Sequence, residues 1–231
     1  MIVDHKTTID HRDYRLGYTA SLIGVLVSVA FGLYGWFSTE AGQQVPTHFG
    51  IDGEPDAFGS RFEAFWVLPL VLLGVSVLLA VLPRIDPRRQ GVITSIKAYN
   101  VVWAATVAFM AGISGFTTVA AVRGSGLALG GRPLMLGVGA LFVVIGNFLP
   151  KTGPNWFFGI RTPWTLSDDQ VWADTHRVGG ILMMVGGAAI IIAALLAPLA
   201  WNIGVAVTVL AVIVLVAFVY SYLRYRSLHP A

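Results

Sequence analysis

Residues 178–223, VGGILMMVGGAAIIIAALLAPLAWNIGVAVTVLAVIVLVAFVYSYL, contain no Asp, Glu, Lys or Arg. A membrane-spanning helix needs about 20 predominantly apolar residues to cross roughly 30 Å of hydrocarbon. This stretch is long enough for two such spans, 178–200 and 203–223, separated by a short turn around Trp201 and Asn202. Because so short a connection joins antiparallel neighbours, the stretch predicts a transmembrane helical hairpin.

The rest of the chain repeats this pattern. Of its 231 residues, 56% are hydrophobic and only 12% are charged, whereas about a quarter of a soluble domain is charged. Four more stretches without charged residues are long enough to span: 16–38, 64–82, 98–122 and 133–149. Lipid cannot satisfy backbone polar groups, so these spans are expected to be helices. The predicted fold class is an all-α membrane protein, a six-transmembrane-helix bundle in the cell (plasma) membrane.

The distribution of basic residues predicts how the bundle is oriented. Twelve of the fifteen Lys and Arg residues fall in the N-terminal tail, the second and fourth connections and the C-terminus, and three lie on the other side. Basic residues concentrate in cytoplasmic connections, so both termini are predicted to be cytoplasmic. Residues 1–15 carry mixed charge and precede a span too long for a signal peptide, which makes them a cytoplasmic N-terminal tail.

The first connection, residues 39–62, is then predicted to face outward. It reads TEAGQQVPTHFGIDGEPDAFGSRF, and its Asp52-Gly53 and Pro55-Asp56 pairs favour turns. One interpretation is a solvated loop, and the other is an acidic recognition surface on which His48 and the carboxylates are candidate metal ligands. Zinc usually takes four His or Cys ligands, and the twelve-residue calcium-loop pattern is absent. No metal site is therefore predicted here.

The fourth connection includes NWFFGIRTPWTLSDDQVWADTHR, residues 155–177, which is rich in Trp, Arg and Asp. Ser167 is predicted to cap a helix, with Gln170 as its capping-box partner. On that helix Trp172, Thr175, His176 and Gly179 share one face. The residues before Ser167 are predicted to be extended or turned, because Pro154 and Pro163 disfavour a helix there.

Two interpretations of this connection remain open from composition. Its Trp and Phe residues are typical of an interfacial belt, with Lys151, Arg161 and Arg177 near anionic lipid headgroups. The same residue types are enriched in protein-docking surfaces. His176 is either an interfacial polar residue or a pH-sensitive group or base. Asn147 is expected to form a hydrogen bond across helices, and the glycines at 112, 115, 179, 180, 186 and 187 are expected to allow close helix approach.

The spans themselves argue against catalysis and proton transport. None contains Asp, Glu, Lys, Arg or His between its ends, although transporters usually keep such residues at membrane depth. Hydrolase motifs and nucleotide-binding loops are absent, and the chain has no cysteine. The prediction is a protein that is not an enzyme and has no cofactor. The alternative is a transporter, channel or lipid-handling protein in which residues 155–177 form a cytoplasmic gate.

Residues 146–180, GNFLPKTGPNWFFGIRTPWTLSDDQVWADTHRVGG, resemble the signature of the SdpI family of bacterial membrane proteins. The family pattern is close to G-N-x-x-P-K-x-x-x-N-x-x-x-G-I-R-T-P-W-T-L-x-x-x-x-V-W-x-x-T-H-x-x-G-G. We refer to this stretch as the motif segment. PTHFGIDGEPDAFGSR, residues 46–61, is similar to the small two-span domain that usually precedes the SdpI region. The resemblance implies an N-terminal two-span region, 16–90, and a four-span SdpI-like region, 91–231.

The resemblance also implies a function. Members of this family act in immunity and signalling: the type member protects a cell from a secreted peptide toxin and holds a cytoplasmic ArsR-type repressor at the membrane. The implied partners are that toxin, the repressor and membrane lipid, with no direct contact to nucleic acid. In the motif segment the candidate partner-binding residues are Asn147, Pro150, Asn155, Trp156, Gly159, Arg161, Thr162, Pro163, Trp164, Thr165, Trp172, Thr175 and His176. In the outward loop the candidates are Pro46, His48, Asp52, Gly53, Asp56 and Arg61.

Overall fold

The computed structural model describes residues 11–50, 54–124 and 131–230. Short 3₁₀ turns precede the first helix and follow the fifth, at His11–Tyr14 and Leu149–Lys151. The helices and strands in chain order are α1 (Arg15–Phe37), β1 (Val45–Phe49), β2 (Pro55–Gly59), α2 (Arg61–Ile85), α3 (Arg89–Thr94), α4 (Ile96–Arg123), α5 (Arg132–Phe148), α6 (Pro163–Ser167), α7 (Asp169–Leu196) and α8 (Leu199–Leu228).

Six of these helices are long and apolar enough to cross a membrane: α1, α2, α4, α5, α7 and α8. They correspond one to one with the six predicted spans, which confirms the helical bundle. Several helices continue beyond the apolar stretches that predict them, because polar caps extend them. At the start of α2, for example, Ser60 and Glu63 form a reciprocal capping box.

The prediction of an all-α chain is wrong at the first connection. β1 and β2 pair as an antiparallel hairpin in which Val45 lies opposite Gly59 and Phe49 opposite Pro55. Asp52 and Gly53 lie outside the described residues. The sequence does not predict these strands, because Pro46 and Pro55 interrupt the alternation of apolar and polar residues that marks a strand. The pairing itself is irregular, with register shifts on both sides of His48.

The long helices pack in two groups of three. α1 packs against α2 and α4, while α7 packs against α5 and α8, and α4 contacts α5 between the groups. Thus α4, which the sequence assigns to the SdpI-like region, packs with the two N-terminal spans. The domain boundary near residue 90 remains a prediction.

Glycine pairs set the contact between α5 and α7. A Cβ on Gly139 would lie 2.7 Å from the carbonyl oxygen of Gly187, and one on Gly146 would lie 2.6 Å from that of Gly180. These distances are too short for any side chain, so the two backbones touch at both places. The prediction of close helix approach is wrong at Gly112, because the space beside this residue is open.

Two prolines inside α2 leave backbone carbonyls without their usual helical donors. Proline has no N–H, so Pro83 cannot donate to the carbonyl of Leu79. The hydroxyl of Tyr99 on α4 donates to that carbonyl at 2.6 Å. Pro69 similarly frees the carbonyl of Phe65, against which Gly32 of α1 packs. These contacts attach α2 to both of its neighbours.

The N-terminal group has an aromatic core at the end near residue 14. Trp103 is buried, and its indole N–H donates to Ser21 Oγ at 2.9 Å. Asn100 accepts a hydrogen bond from the Gly17 N–H and donates to the Asp13 carbonyl. Deeper along the helices, Ser28 donates to Ser114 at 2.7 Å. The group is therefore held by interhelical hydrogen bonds as well as by apolar packing.

Candidate functional site

The motif segment contains one more helix than the sequence predicts. The stretch before Ser167 is not wholly extended or turned, because α6 occupies Pro163–Ser167. Thr162 caps α6, and its side chain and that of Thr165 form a reciprocal capping box. Proline suits the first turn of a helix, where its missing N–H has no intrahelical partner. Thr162-Pro163 is therefore a helix start, and the predicted break in helical structure at Pro163 is wrong.

The predicted cap of the following helix is displaced by one residue. Asp168, rather than Ser167, caps α7, and its carboxylate accepts hydrogen bonds from the N–H groups of Gln170 and Val171 at 2.8 and 2.9 Å. Ser167 instead ends α6, where its hydroxyl donates to the Trp164 carbonyl. The hydrogen bond from the Val171 N–H lowers the pKa of Asp168 below its ordinary value, and the hydrogen bond with His229 is the second cause of this shift.

Asn155 shapes the loop that leads into α6. It is fully buried, and its Oδ1 accepts hydrogen bonds from the N–H groups of Phe157 and Phe158 at 3.0 and 2.8 Å. Its Nδ2 donates to the Gly153 carbonyl. A single amide side chain thus satisfies three backbone groups in a tight turn.

His176 holds the end of the same loop. It lies on α7, fully buried and stacked on Trp172 with ring centroids 4.0 Å apart. The Ile160 N–H donates to His176 Nε2 at 3.0 Å, and His176 Nδ1 lies 2.8 Å from the Trp172 carbonyl. Nε2 must therefore accept and Nδ1 must donate, which defines the neutral Nδ1–H tautomer. His176 is not the interfacial polar residue that the sequence suggested.

Two glycines allow the loop to lie against α7. Gly159 has a φ of 108°, which other residues rarely adopt, and a Cβ there would overlap the His176 ring. Gly179 is buried beneath the side chain of Ile160. Gly159 and Gly179 both belong to the resembled pattern. Each is required because the loop and α7 touch at its position.

α6 packs on α8 through Trp164 and Thr162. The Trp164 ring lies 5.0 Å from those of Phe218 and Tyr222, and Thr162 Oγ1 donates to Ser221 Oγ at 3.1 Å. These contacts attach the motif segment to the last span of the bundle.

Burial divides the thirteen candidate partner-binding residues into two sets. Six are buried and hold the shape of the segment: Asn155, Thr162, Thr165, Trp172, Thr175 and His176. Trp164 is half-buried, and six are exposed: Asn147, Pro150, Trp156, Gly159, Arg161 and Pro163. The buried residues cannot touch a partner unless the segment opens. The predicted interhelical hydrogen bond of Asn147 is absent among the described residues.

Trp156 and Arg161 form the most distinctive exposed pair in this set. Trp156 is 45% exposed, and Arg161 Nη1 donates to the Trp156 carbonyl at 2.6 Å. The hydrogen bond holds the Arg161 guanidinium at the backbone from which the exposed Trp156 indole projects, and both residue types are enriched in interface hot spots.

Asp86, Ser95 and Gly91 also contact the motif segment, and none was singled out from the sequence. Asp86 lies between a span and Pro87, which is a recognisable turn signal. Its hydrogen bond to the backbone of residue 88 can be predicted from that signal. Its contact with Trp156, 70 positions away, cannot be predicted from local pattern.

At the other end of α2, the hairpin presents a second set of candidates. His48 Nδ1 and Asp56 Oδ1 lie 2.6 Å apart, and both side chains are more than half exposed. Pro46 is buried, while Arg61 is half-buried, stacks over Trp36 and donates to its carbonyl. The described hairpin thus offers an exposed His–carboxylate pair beside an arginine that joins it to α1.

The fold and the motif segment together define a multi-pass membrane protein. A model of the SdpI/YfhL protein family matches residues 151–223, and a model described as Domain of unknown function (DUF1648) matches residues 23–73. These two matches confirm the resemblance to the SdpI family and to the small domain that precedes its characteristic region.

One curated relative is Immunity protein SdpI from Bacillus subtilis (strain 168). It is 38% identical over 52 residues, which are 22% of this chain and 25% of that protein. The match thus spans about a quarter of the relative's length. No solved structure matches the chain.

Proposed function

We propose that this protein is an immunity protein that confers resistance to a secreted peptide toxin, and that its motif segment binds a cytoplasmic regulator. Family membership and the likeness to an immunity protein support the first part. The arrangement of the motif segment supports the second. Its buried residues hold the backbone rigidly, so that Trp156 and Arg161 are presented at an exposed surface.

The observation that carries the regulator proposal is the hydrogen bond between Arg161 and the Trp156 carbonyl. It fixes the Arg161 guanidinium against the Trp156 backbone before a partner arrives, which lowers the entropy cost of binding. The regulator implied by the family resemblance is an ArsR-type repressor. The toxin is proposed to meet the hairpin or the adjacent half of the bundle, where His48 and Asp56 are exposed.

A killing assay tests the immunity proposal. A sensitive host would express the parent chain and then be challenged with the killing peptide against which the SdpI family protects. Survival of these cells, but not of cells with an empty vector, is the expected result. Death at confirmed membrane expression would contradict immunity to this peptide. A substrate-dependent flux in liposomes would then favour the transporter alternative.

The variant Arg161→Ala tests the role of the motif surface. We expect normal expression and insertion, because Arg161 is exposed and its hydrogen bond within the described part of the chain is to a backbone carbonyl. Resistance or regulator recruitment should be lost. Arg177→Ala is the matched control, since Arg177 is an exposed arginine on α7 outside the proposed surface. If Arg161→Ala resembles Arg177→Ala in both assays, the docking role is wrong.

A further inference from the structure

The connection between α2 and α4, residues 86–95, attaches the motif segment to the N-terminal helix group, which consists of α1, α2 and α4. Asp86 lies at the end of α2 and is only 2% exposed. Its Oδ1 accepts the Arg88 N–H at 2.7 Å, and its Oδ2 accepts the Trp156 N–H at 3.0 Å. One buried carboxylate therefore joins the two helix groups through backbone donors.

Ser95 and Gly91 extend the same contact. The buried hydroxyl of Ser95 accepts a hydrogen bond from the Gly153 N–H at 2.6 Å. Gly91 lies so close to the Pro154 carbonyl that any side chain at this position would overlap it. Residues 153–156 of the motif segment are thus seated on the 86–95 connection by backbone contact.

Arg88 adds a contact with the other half of the motif segment. Its Nη2 donates to the Leu166 carbonyl at 3.0 Å, and its Nη1 lies 3.4 Å from Asp169. These two residues lie at the junction of α6 and α7. The 86–95 connection therefore contacts the motif segment both before and after the exposed Trp156–Arg161 surface.

Both backbone polar groups of Trp156 are hydrogen-bonded. Its N–H donates to Asp86, and its carbonyl accepts the Arg161 guanidinium. Displacing Asp86 would therefore disturb the backbone from which Trp156 projects and to which Arg161 is bonded.

The opposite end of α2 is tied to the hairpin. Ser60, which directly follows β2, caps α2, and Arg61 bonds to the end of α1. A helix of 25 residues is about 38 Å long. α2 therefore links the hairpin to Asp86 along its whole length.

We propose that the 86–95 connection couples the N-terminal helix group to the motif segment, with Asp86 as the positioning residue for the Trp156–Arg161 surface. The regulatory meaning of this coupling rests on the proposed function: toxin bound at the hairpin would shift α2 and release or reorient that surface. A ligand can do so only through unequal affinity for the two arrangements. The contact itself is testable without toxin or regulator.

The test uses thiol labelling in native membranes, because the chain has no cysteine of its own. Thr152→Cys places a thiol at a buried position next to Gly153, and Asn202→Cys places one at a buried position near the opposite end of α8, away from the motif segment. Ser167→Cys supplies an exposed reference. Each is combined with Asp86→Asn, which leaves one acceptor oxygen where the carboxylate offers two. Asp174→Asn is the matched control, since Asp174 pairs with Arg224 and lies outside the connection.

Asp86→Asn is expected to speed labelling of Thr152→Cys about tenfold or more, because loss of a hydrogen bond to a charged group raises the population of the opened segment by that order. Labelling of Asn202→Cys should not change. Asp174→Asn should leave Thr152→Cys protected. Ser95→Ala should raise the same labelling by a smaller factor, which keeps the test open if Asp86→Asn is poorly inserted.

Two results would overturn the proposal. Unchanged labelling of Thr152→Cys in both variants would mean that the connection does not position the loop. Equal acceleration at Thr152→Cys and Asn202→Cys would mean that Asp86 supports the fold in general. Because neither readout involves toxin, a failed killing assay would leave this result intact, and a failed labelling assay would not bear on immunity.

Discussion

His176 shows how a titratable side chain can serve as a fixed structural link. Both ring nitrogens are committed to backbone groups, one on the loop at Ile160 and one on α7 at Trp172. Protonation of Nε2 would place its N–H against the Ile160 N–H, so that two donors would face each other. The geometry therefore requires the neutral ring. The residue therefore joins the loop to α7 and has no proton available for exchange in this arrangement.

His176→Ala should destabilise the protein by about 1–3 kcal/mol, because the part-buried Ile160 N–H loses its acceptor. His176→Gln should cost less, since its amide oxygen can replace Nε2 as acceptor. Thermal stability is measured by heating each variant in detergent and monitoring the loss of monodisperse protein. Equal stability of the two variants would contradict the assigned hydrogen bond.

At the scale of single elements, the start of α7 provides a prediction about pH. The pKa of the capping Asp168 is lowered from 3.8, first by the Val171 N–H and then by His229. A lowered folded-state pKa means that the stabilisation is complete above the unfolded-state pKa and is lost as the pH falls through the folded-state value.

Asp168→Asn keeps a capping side chain but removes the charge that favours a helix N-terminus. The parent should therefore be the more stable protein at pH 7, and this advantage should disappear as the pH falls below 3.8. Unfolding midpoints of both proteins across that range measure the effect. A difference that does not depend on pH would show that the charge of Asp168 does not contribute.

α2 provides a second prediction at this scale. Tyr99→Phe removes the hydroxyl that satisfies the Leu79 carbonyl freed by Pro83. Hydrogen bonds between membrane helices contribute about 0.6–2 kcal/mol, so a loss of this size in unfolding free energy is expected. Ser21→Ala, which removes the acceptor of the Trp103 indole, is a comparison elsewhere in the same helix group. No loss in Tyr99→Phe would mean that the carbonyl finds another donor.

The elements also show what sequence can and cannot predict. Runs of apolar residues predict all six long helices, because length and hydropathy alone decide whether a helix can span lipid. Ser167 and Asp168 are both good caps, and local preference does not decide that α6 ends at Ser167 and that Asp168 caps α7. Burial of His176 and the contact between Asp86 and Trp156 depend on tertiary packing, which local pattern does not contain.

At the scale of the whole molecule, orientation is a prediction from the basic residues. With both termini cytoplasmic, the hairpin faces outward and the motif segment inward. In intact cells, a membrane-impermeant maleimide should label Glu40→Cys but not Ser167→Cys, although both positions are exposed. After the cells are opened, both should be labelled. The reverse pattern would place the motif segment outside and exclude a cytoplasmic partner for it.

The glycine pairs between α5 and α7 restrict how this molecule can move. Gly139 and Gly146 are seven residues apart, as are Gly180 and Gly187, so the two contacts lie two helical turns apart. If either helix slid along the other by one turn, side chains would enter spaces that admit only hydrogen atoms. The pair can pivot or rotate slightly, but it cannot translate. A signal transmitted through α5 and α7 must therefore be a change in the angle between these two helices. The resulting displacement at the motif segment would grow with its distance from the glycine contacts.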